Sequence, residues 1–232
     1  LLENSDQEKV WNIRKAGLGL RMSIPDDYKA IPFVEDTAVD PKFLPAFVKE
    51  FDQIVRSYDT TAGYYGHASV GCMHIRPLIN LKMQDEVNKM KLIASDITDL
   101  VLKYGGSISG EHGDGLARSY WNKKMYGDKI YNAFRELKEV FDPHNLMNPG
   151  KISDSQDIDQ NLKIGPKYKT FDIDTGFNFT KEKGYASAIE MCNGQGACRK
   201  VTSGVMCPSY MVTRDEELST RGRANALRGL IS

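Results

Sequence analysis

The 232 residues contain only four histidines. Two stand seven positions apart in "HASVGCMHIR" (His67 and His74), a mostly apolar run with a glycine inside. The other two lie in "GGSISGEHGDG" (His112) and "FDPHNLMNPGKI" (His144). None falls in an ordinary helical stretch. Two imidazoles and a carboxylate form a ligand set for a divalent ion such as zinc, iron or manganese. Glu111, immediately before His112 and flanked by Gly110 and Gly113, supplies the carboxylate, and His112 stands beside it as a free base. In an extended strand, positions seven apart point to opposite faces, so His67 and His74 share a site only if a bulge or turn at Gly71 restores the register. Spacing alone equally allows four buried, hydrogen-bonded structural histidines.

These residues must be held by the elements around them. The stretch "KAIPFVEDTAV" (29–39) reads as a strand running into a loop that ends near an acidic pair. "DPKFLPAFVKEFDQIVRSYD" (40–59) places Phe43, Leu44, Phe47, Phe51, Ile54 and Val55 at helical spacing after an Asp-Pro start. "TAGYYGHASVGCMHIRPLINL" predicts two strands, or one with a bulge. A second amphipathic helix spans 84–106, stopped by Gly105-Gly106, and a third spans 129–145, stopped at Asp142-Pro143. A further helix-like run opens the chain around Val10, Trp11 and Ile13. This order, without a glycine-rich dinucleotide fingerprint, predicts an α+β class: a mostly antiparallel sheet with helices on one face, followed by a small, mainly helical, cysteine-containing segment. The expected domains are 1–152, an extended polar linker at 153–180, and a second unit at 181–232.

Lys plus Arg and Asp plus Glu each total 31, so the formal net charge is zero and the basic excess of a nucleic-acid-binding surface is missing. No apolar run approaches the roughly 20 residues of a membrane helix. The expected location is cytoplasmic, with peripheral attachment at the inner face of a membrane left open. The chain opens without methionine in one helix-like run and stops inside another, so it reads as part of a longer polypeptide.

"HASVGCMHIRP", "GGSISGEHGDG" and "FDPHNLMNPGKI", in that order and spacing, resemble three signatures of the C-terminal domain of FAD-linked oxidases of the vanillyl-alcohol-oxidase/para-cresol-methylhydroxylase superfamily. That group includes D-lactate dehydrogenases, the flavin subunit of glycolate oxidase and D-2-hydroxyglutarate dehydrogenase. "VWNIRKAGLGL" and "FVEDTAV" resemble the motifs that open the same domain. Ser69, Val70 and Cys72 depart from the family's first histidine motif, while His67, Gly71 and His74 keep to it. The resemblance implies that His67, His74 and Glu111 ligate a divalent metal and that His112 takes the hydroxyl proton of a 2-hydroxy acid. It also implies substrate-carboxylate contacts from Arg14, Lys29 and Arg76, and a contact of Asn148 with FAD. Arg118 is a further candidate for an anion or the flavin. FAD itself would be held mainly by a domain N-terminal to residue 1, leaving this piece inactive alone.

Three of the four cysteines crowd into 16 residues of "MCNGQGACRKVTSGVMCPSY". A ferredoxin motif spaces cysteines C-x2-C-x2-C-x3-C-P. Cys192 and Cys198 occupy its first and third positions, Gln195 its second, and Cys207-Pro208 closes it after an insertion. The segment resembles the ferredoxin-like part of large bacterial FAD-linked oxidoreductases, which implies a [4Fe–4S] cluster in the parent and electron delivery to a quinone, cytochrome or flavoprotein. The alternative from another class is a non-catalytic assembly or docking module with zinc at the cysteines. Cys72 stands apart and reads as a buried small hydrophobe.

Overall fold

A computed structural model describes residues 3–22, 25–202 and 204–232. By packing, the chain groups into residues 28–166 and, separately, residues 1–27 with 167–232.

Within residues 28–166, four strands form an antiparallel sheet: β1 (Lys29–Ala30), β2 (Thr37–Ala38), β3 (Ala62–His67) and β4 (Cys72–Ile79). β4 is central, with β3 along one edge and both short strands along the other. The continuous strand expected from residue 29 is broken in two. Pro32 has no N–H to give the ladder, and Asp36 turns through φ 78°. The intervening chain still follows β4, with Ile31 N donating to Pro77 O and Asp36 N donating to Met73 O at 3.0 Å each.

Alternation along β4 separates core from chemistry. Ile75 and Ile79 are fully buried on one face and join the core. Cys72, His74 and Arg76 point from the other. On the core face lie α2 (Leu44–Ser57) and α3 (Gln84–Lys103). α2 buries Phe47, Phe51 and Val55, four residues apart; α3 buries Val87, Met90, Ile93, Ala94, Ile97, Leu100 and Val101. Each such large side chain contributes roughly 1.5–3 kcal/mol on burial, and these stripes fix the sheet that carries the histidines. The Asp-Pro start acts as expected: Asp40 accepts from Lys42 N in a short 3-10 turn over Pro41–Phe43 before α2.

A short helix, α4 (Gly115–Arg118), follows the glycine-rich loop, and α5 (Asn122–Phe141) follows that. α5 begins earlier than 129, with a break at Gly127 (φ 73°, ψ 169°), and ends at Asp142, before Pro143. Asp142 then accepts from Leu146 N and Met147 N at 2.9 Å each, organising the turn that carries exposed His144.

Two glycines are required by close backbone approach. Gly71 closes the β3–β4 hairpin at φ 68°, where a Cβ would lie 1.8 Å from Val39 O. A Cβ at Gly106 would lie 2.3 Å from Ala38 O, where the chain leaving α3 joins β2 through Ser107. Gly71→Ala is expected to destabilise the protein by about 3 kcal/mol or more. An unchanged denaturation midpoint would contradict this hairpin geometry.

The other group contains α1 (Asn4–Met22), α6 (Tyr185–Glu190), α7 (Pro208–Thr213) and α8 (Thr220–Ile231). Residues 153–179 hold no helix or strand, and a 3-10 turn begins at Thr180. Among the described residues, no helix is long and apolar enough to cross a membrane.

Candidate active site

The hairpin solves the register problem of the two histidines by a turn. His67 ends β3 opposite Cys72, and Tyr65 lies opposite His74. His67, Cys72 and His74 therefore share one face, with residues 68–70 forming a 3-10 turn between them. The imidazole rings of His67 and His74 meet edge to face, 5.3 Å apart, and Tyr65 packs against His74 at 4.8 Å.

The loop carrying Glu111 and His112 is fastened over that face by Asp36. Its carboxylate is fully buried and accepts from Glu111 N (3.0 and 3.2 Å) and His112 N (2.9 Å). Gly110 N donates to Asp36 O at 2.8 Å. Arg118 secures the same loop from behind: buried, it donates to the carbonyls of Gly113 and Glu35, so its guanidinium ties backbone together. Cys72 Sγ lies 3.7 Å from Asp36, and burial first, then that nearby charge, push its thiol up to about 12. At 4% exposure it packs as a small buried hydrophobe. Asp36→Ala leaves two part-buried loop amides without their acceptor and places alanine at positive φ. The expected cost is about 3–5 kcal/mol, read as a lower denaturation midpoint; a neutral result would contradict the anchoring role.

Glu111 is the point of convergence. Its Oε1 lies 3.2 Å from His67 Nε2, 3.0 Å from His74 Nε2 and 3.6 Å from His112 Nε2. In a tetrahedral zinc site with metal–ligand bonds near 2.0–2.1 Å, neighbouring ligand atoms are about 3.3 Å apart. The two shorter separations are close to that edge, and they are also ordinary imidazole–carboxylate hydrogen-bond distances. Asp36, His74, Glu111 and His112 also each bring a ligand atom within 4.8 Å of the others. Asp36 already accepts the loop amides, and His67, outside that group of four, meets the same Glu111 oxygen as His74 and His112. His74 is 2% exposed, and burial lowers its pKa from the usual imidazole value, which favours the neutral form that can ligate. Glu111, His67 and His112 are each 37–43% exposed on their side chains, which leaves the centre open to a small molecule.

Behind this centre lies Glu35. Its Oε1 is 2.9 Å from His112 Nδ1, and its Oε2 receives Arg76 Nη2 (3.0 Å) and Nε (3.3 Å). His112 stacks on His74, with centroids 4.8 Å apart and planes at 11°. Sequence reading found the histidines and Glu111 but gave no role to Glu35 and Asp36. The signal available was the acidic pair itself, two adjacent carboxylates between apolar runs.

The other expected residues are placed as follows. Arg76 is on the site face, 15% exposed at its side chain and held by Glu35. Lys29 is in β1, opposite Ile79. Asn148 is exposed, at φ 46°, in the turn after α5. Arg14 is exposed on α1, with its guanidinium 5.3 Å from the Trp11 ring. Cys192, Cys198 and Cys207 are all free thiols. Two of them meet the first turn of α8. Cys198 Sγ accepts from Arg221 N (3.4 Å), and Cys207 Sγ lies 3.6 Å from the Thr220 hydroxyl, whose hydrogen bond holds its pKa below the usual thiol value.

The chain matches the family of FAD linked oxidases, C-terminal domain, over residues 2–152. It is 34% identical over 222 residues to the D-2-hydroxyglutarate dehydrogenase of Pantoea ananatis, covering 95% of this chain and 22% of that protein. To the Escherichia coli protein of the same description it is 33% identical, with the same coverage. The glycolate oxidase subunit GlcD of Bacillus subtilis is 31% identical over 125 residues, 53% of this chain and 26% of its own. The chain therefore belongs to the FAD-linked oxidase C-terminal family. It spans about a fifth of the length of the hydroxyglutarate dehydrogenases it matches.

Proposed function

We propose that this chain supplies the substrate side of an FAD-dependent 2-hydroxy-acid dehydrogenase of the D-2-hydroxyglutarate or D-lactate type. The observation that carries the reading is the convergence of three imidazoles on the Glu111 carboxylate. His67, His74 and Glu111 hold a divalent ion (zinc, manganese or iron), and His112 is the general base. When bound, the ion acidifies the substrate hydroxyl and FAD accepts the hydride from the adjacent carbon. The chain's own residues orient the hydroxy acid, and His112 Nε2 receives the hydroxyl proton at the open side of Glu111. Arg14, Lys29 and Arg76 are the proposed cationic contacts for substrate carboxylates, and Asn148 the proposed contact with FAD.

The same reading divides the chain into an oxidase domain at 1–152, a linker at 153–180 and a ferredoxin-like segment at 181–232. Cys192, Cys198 and Cys207 would serve a [4Fe–4S] cluster that passes electrons to a quinone, cytochrome or flavoprotein. Cys198 and Cys207 each touch the first turn of α8, and zinc held by the cysteines in a non-catalytic docking module is the alternative. The test is to express the longer protein and offer D-2-hydroxy acids with an artificial electron acceptor. Oxidation that is abolished by a chelator and restored by a divalent ion is expected. Turnover indifferent to thorough metal removal would overturn the metal-assisted reading.

A further inference from the structure

We propose that Glu35 is the positioning residue for His112, fixing its neutral tautomer with the proton on Nδ1 and the lone pair on Nε2. The argument is geometric. A carboxylate only accepts hydrogen bonds, so Glu35 Oε1, at 2.9 Å, requires Nδ1 to be the donor. Nε2 is then the basic nitrogen, and it is the one turned toward Glu111, 3.6 Å away. The opposite tautomer would set a lone pair against a carboxylate that is 8% exposed.

Glu35 is itself held from several directions. Arg76 donates to Oε2 through two nitrogens, and Arg118 Nη1 donates to the Glu35 carbonyl at 3.3 Å. The stacked His74 ring blocks rotation of His112 away from the site. Oε2 also faces His74 Nδ1 at 3.7 Å, a buried nitrogen without a hydrogen-bond partner among the described residues. His74 presents its other nitrogen, Nε2, to Glu111 Oε1 at 3.0 Å. Arg76, expected from the sequence to meet substrate, serves here as the counter-charge that keeps Glu35 in place. In the reaction the hydroxyl proton transfers to Nε2 while Nδ1 keeps its own, so the resulting imidazolium is held by the Glu35 carboxylate. This catalytic consequence rests on the proposed base role of His112; the tautomer does not.

The test is long-range proton–nitrogen NMR on the 232-residue chain labelled with 15N-histidine, with and without zinc. His112 is expected as the pure Nδ1–H tautomer in both conditions. A His112 resonance pattern of Nε2–H, or an averaged mixture, would overturn the proposal even if zinc binds. Failure to bind zinc with Nδ1–H intact would instead count against the metal reading alone. The paired variant Glu35→Met/Arg76→Met removes carboxylate and counter-charge together, so no buried charge is left alone. It is expected to convert His112 to a tautomer mixture, and persistence of pure Nδ1–H would overturn the proposal. In the longer protein the same pair should lower kcat at saturating substrate about 100-fold or more, since a misplaced tautomer impairs proton transfer. Unchanged kcat would contradict the role.

Discussion

Glu111→Ala is expected to weaken divalent-metal binding by more than about 100-fold, beyond what loss of an outer hydrogen-bonding partner costs. The magnitude follows from the position of this side chain. Its Oε1 lies within 3.2 Å of both His67 Nε2 and His74 Nε2. Without it, the two imidazoles of the hairpin lose the carboxylate that both of them meet. Titration calorimetry with zinc reads the change. The fold should survive, because Glu111 is 43% exposed at its side chain and its backbone N–H, the part Asp36 grips, is unaltered. Binding should also fall off as pH drops. Burial holds the His74 pKa below that of an ordinary imidazole, so protons compete for its Nε2 at lower pH than they would for a free histidine. Zinc affinity unchanged in Glu111→Ala would remove this carboxylate from the site.

His112→Ala should reduce kcat in the longer protein by about 10²- to 10⁴-fold, the range for a positioned general base. Bound FAD and metal should be retained. His112 is not one of the three proposed ligands, and its Nε2 stands farther from Glu111 than either ligand nitrogen. The loop should also stay closed, since its bonds to Asp36 run through backbone amides that alanine keeps. Full activity with flavin and metal in place would take His112 out of the chemistry.

The sequence made some of this architecture readable and concealed the rest for physical reasons. Phe47, Phe51 and Val55 on α2, and the longer stripe of α3, are periodic burial, which one-dimensional pattern reports directly. The common placement of His67, His74, Glu111 and His112 depended on the turn at Gly71, which the glycine signalled without specifying its form. Pro32 and Asp36 split the expected 29–39 strand, because a missing donor and a left-handed residue break a ladder that apolar composition alone would continue. Glu35 and Arg76 illustrate a deeper limit. Their ion pair joins positions 41 residues apart across adjoining strand edges, and no local pattern encodes such a pairing. Arg118 looked like an anion contact because it follows a glycine-rich loop, yet its donors are taken by backbone carbonyls.

X-ray absorption on the chain loaded with one equivalent of zinc tests the account at its centre. A first shell of nitrogen and oxygen near 2.0–2.2 Å, with the multiple-scattering signature of two imidazoles, is the predicted spectrum. Sulfur at about 2.3 Å would instead place the ion on the cysteines and contradict the histidine–glutamate centre.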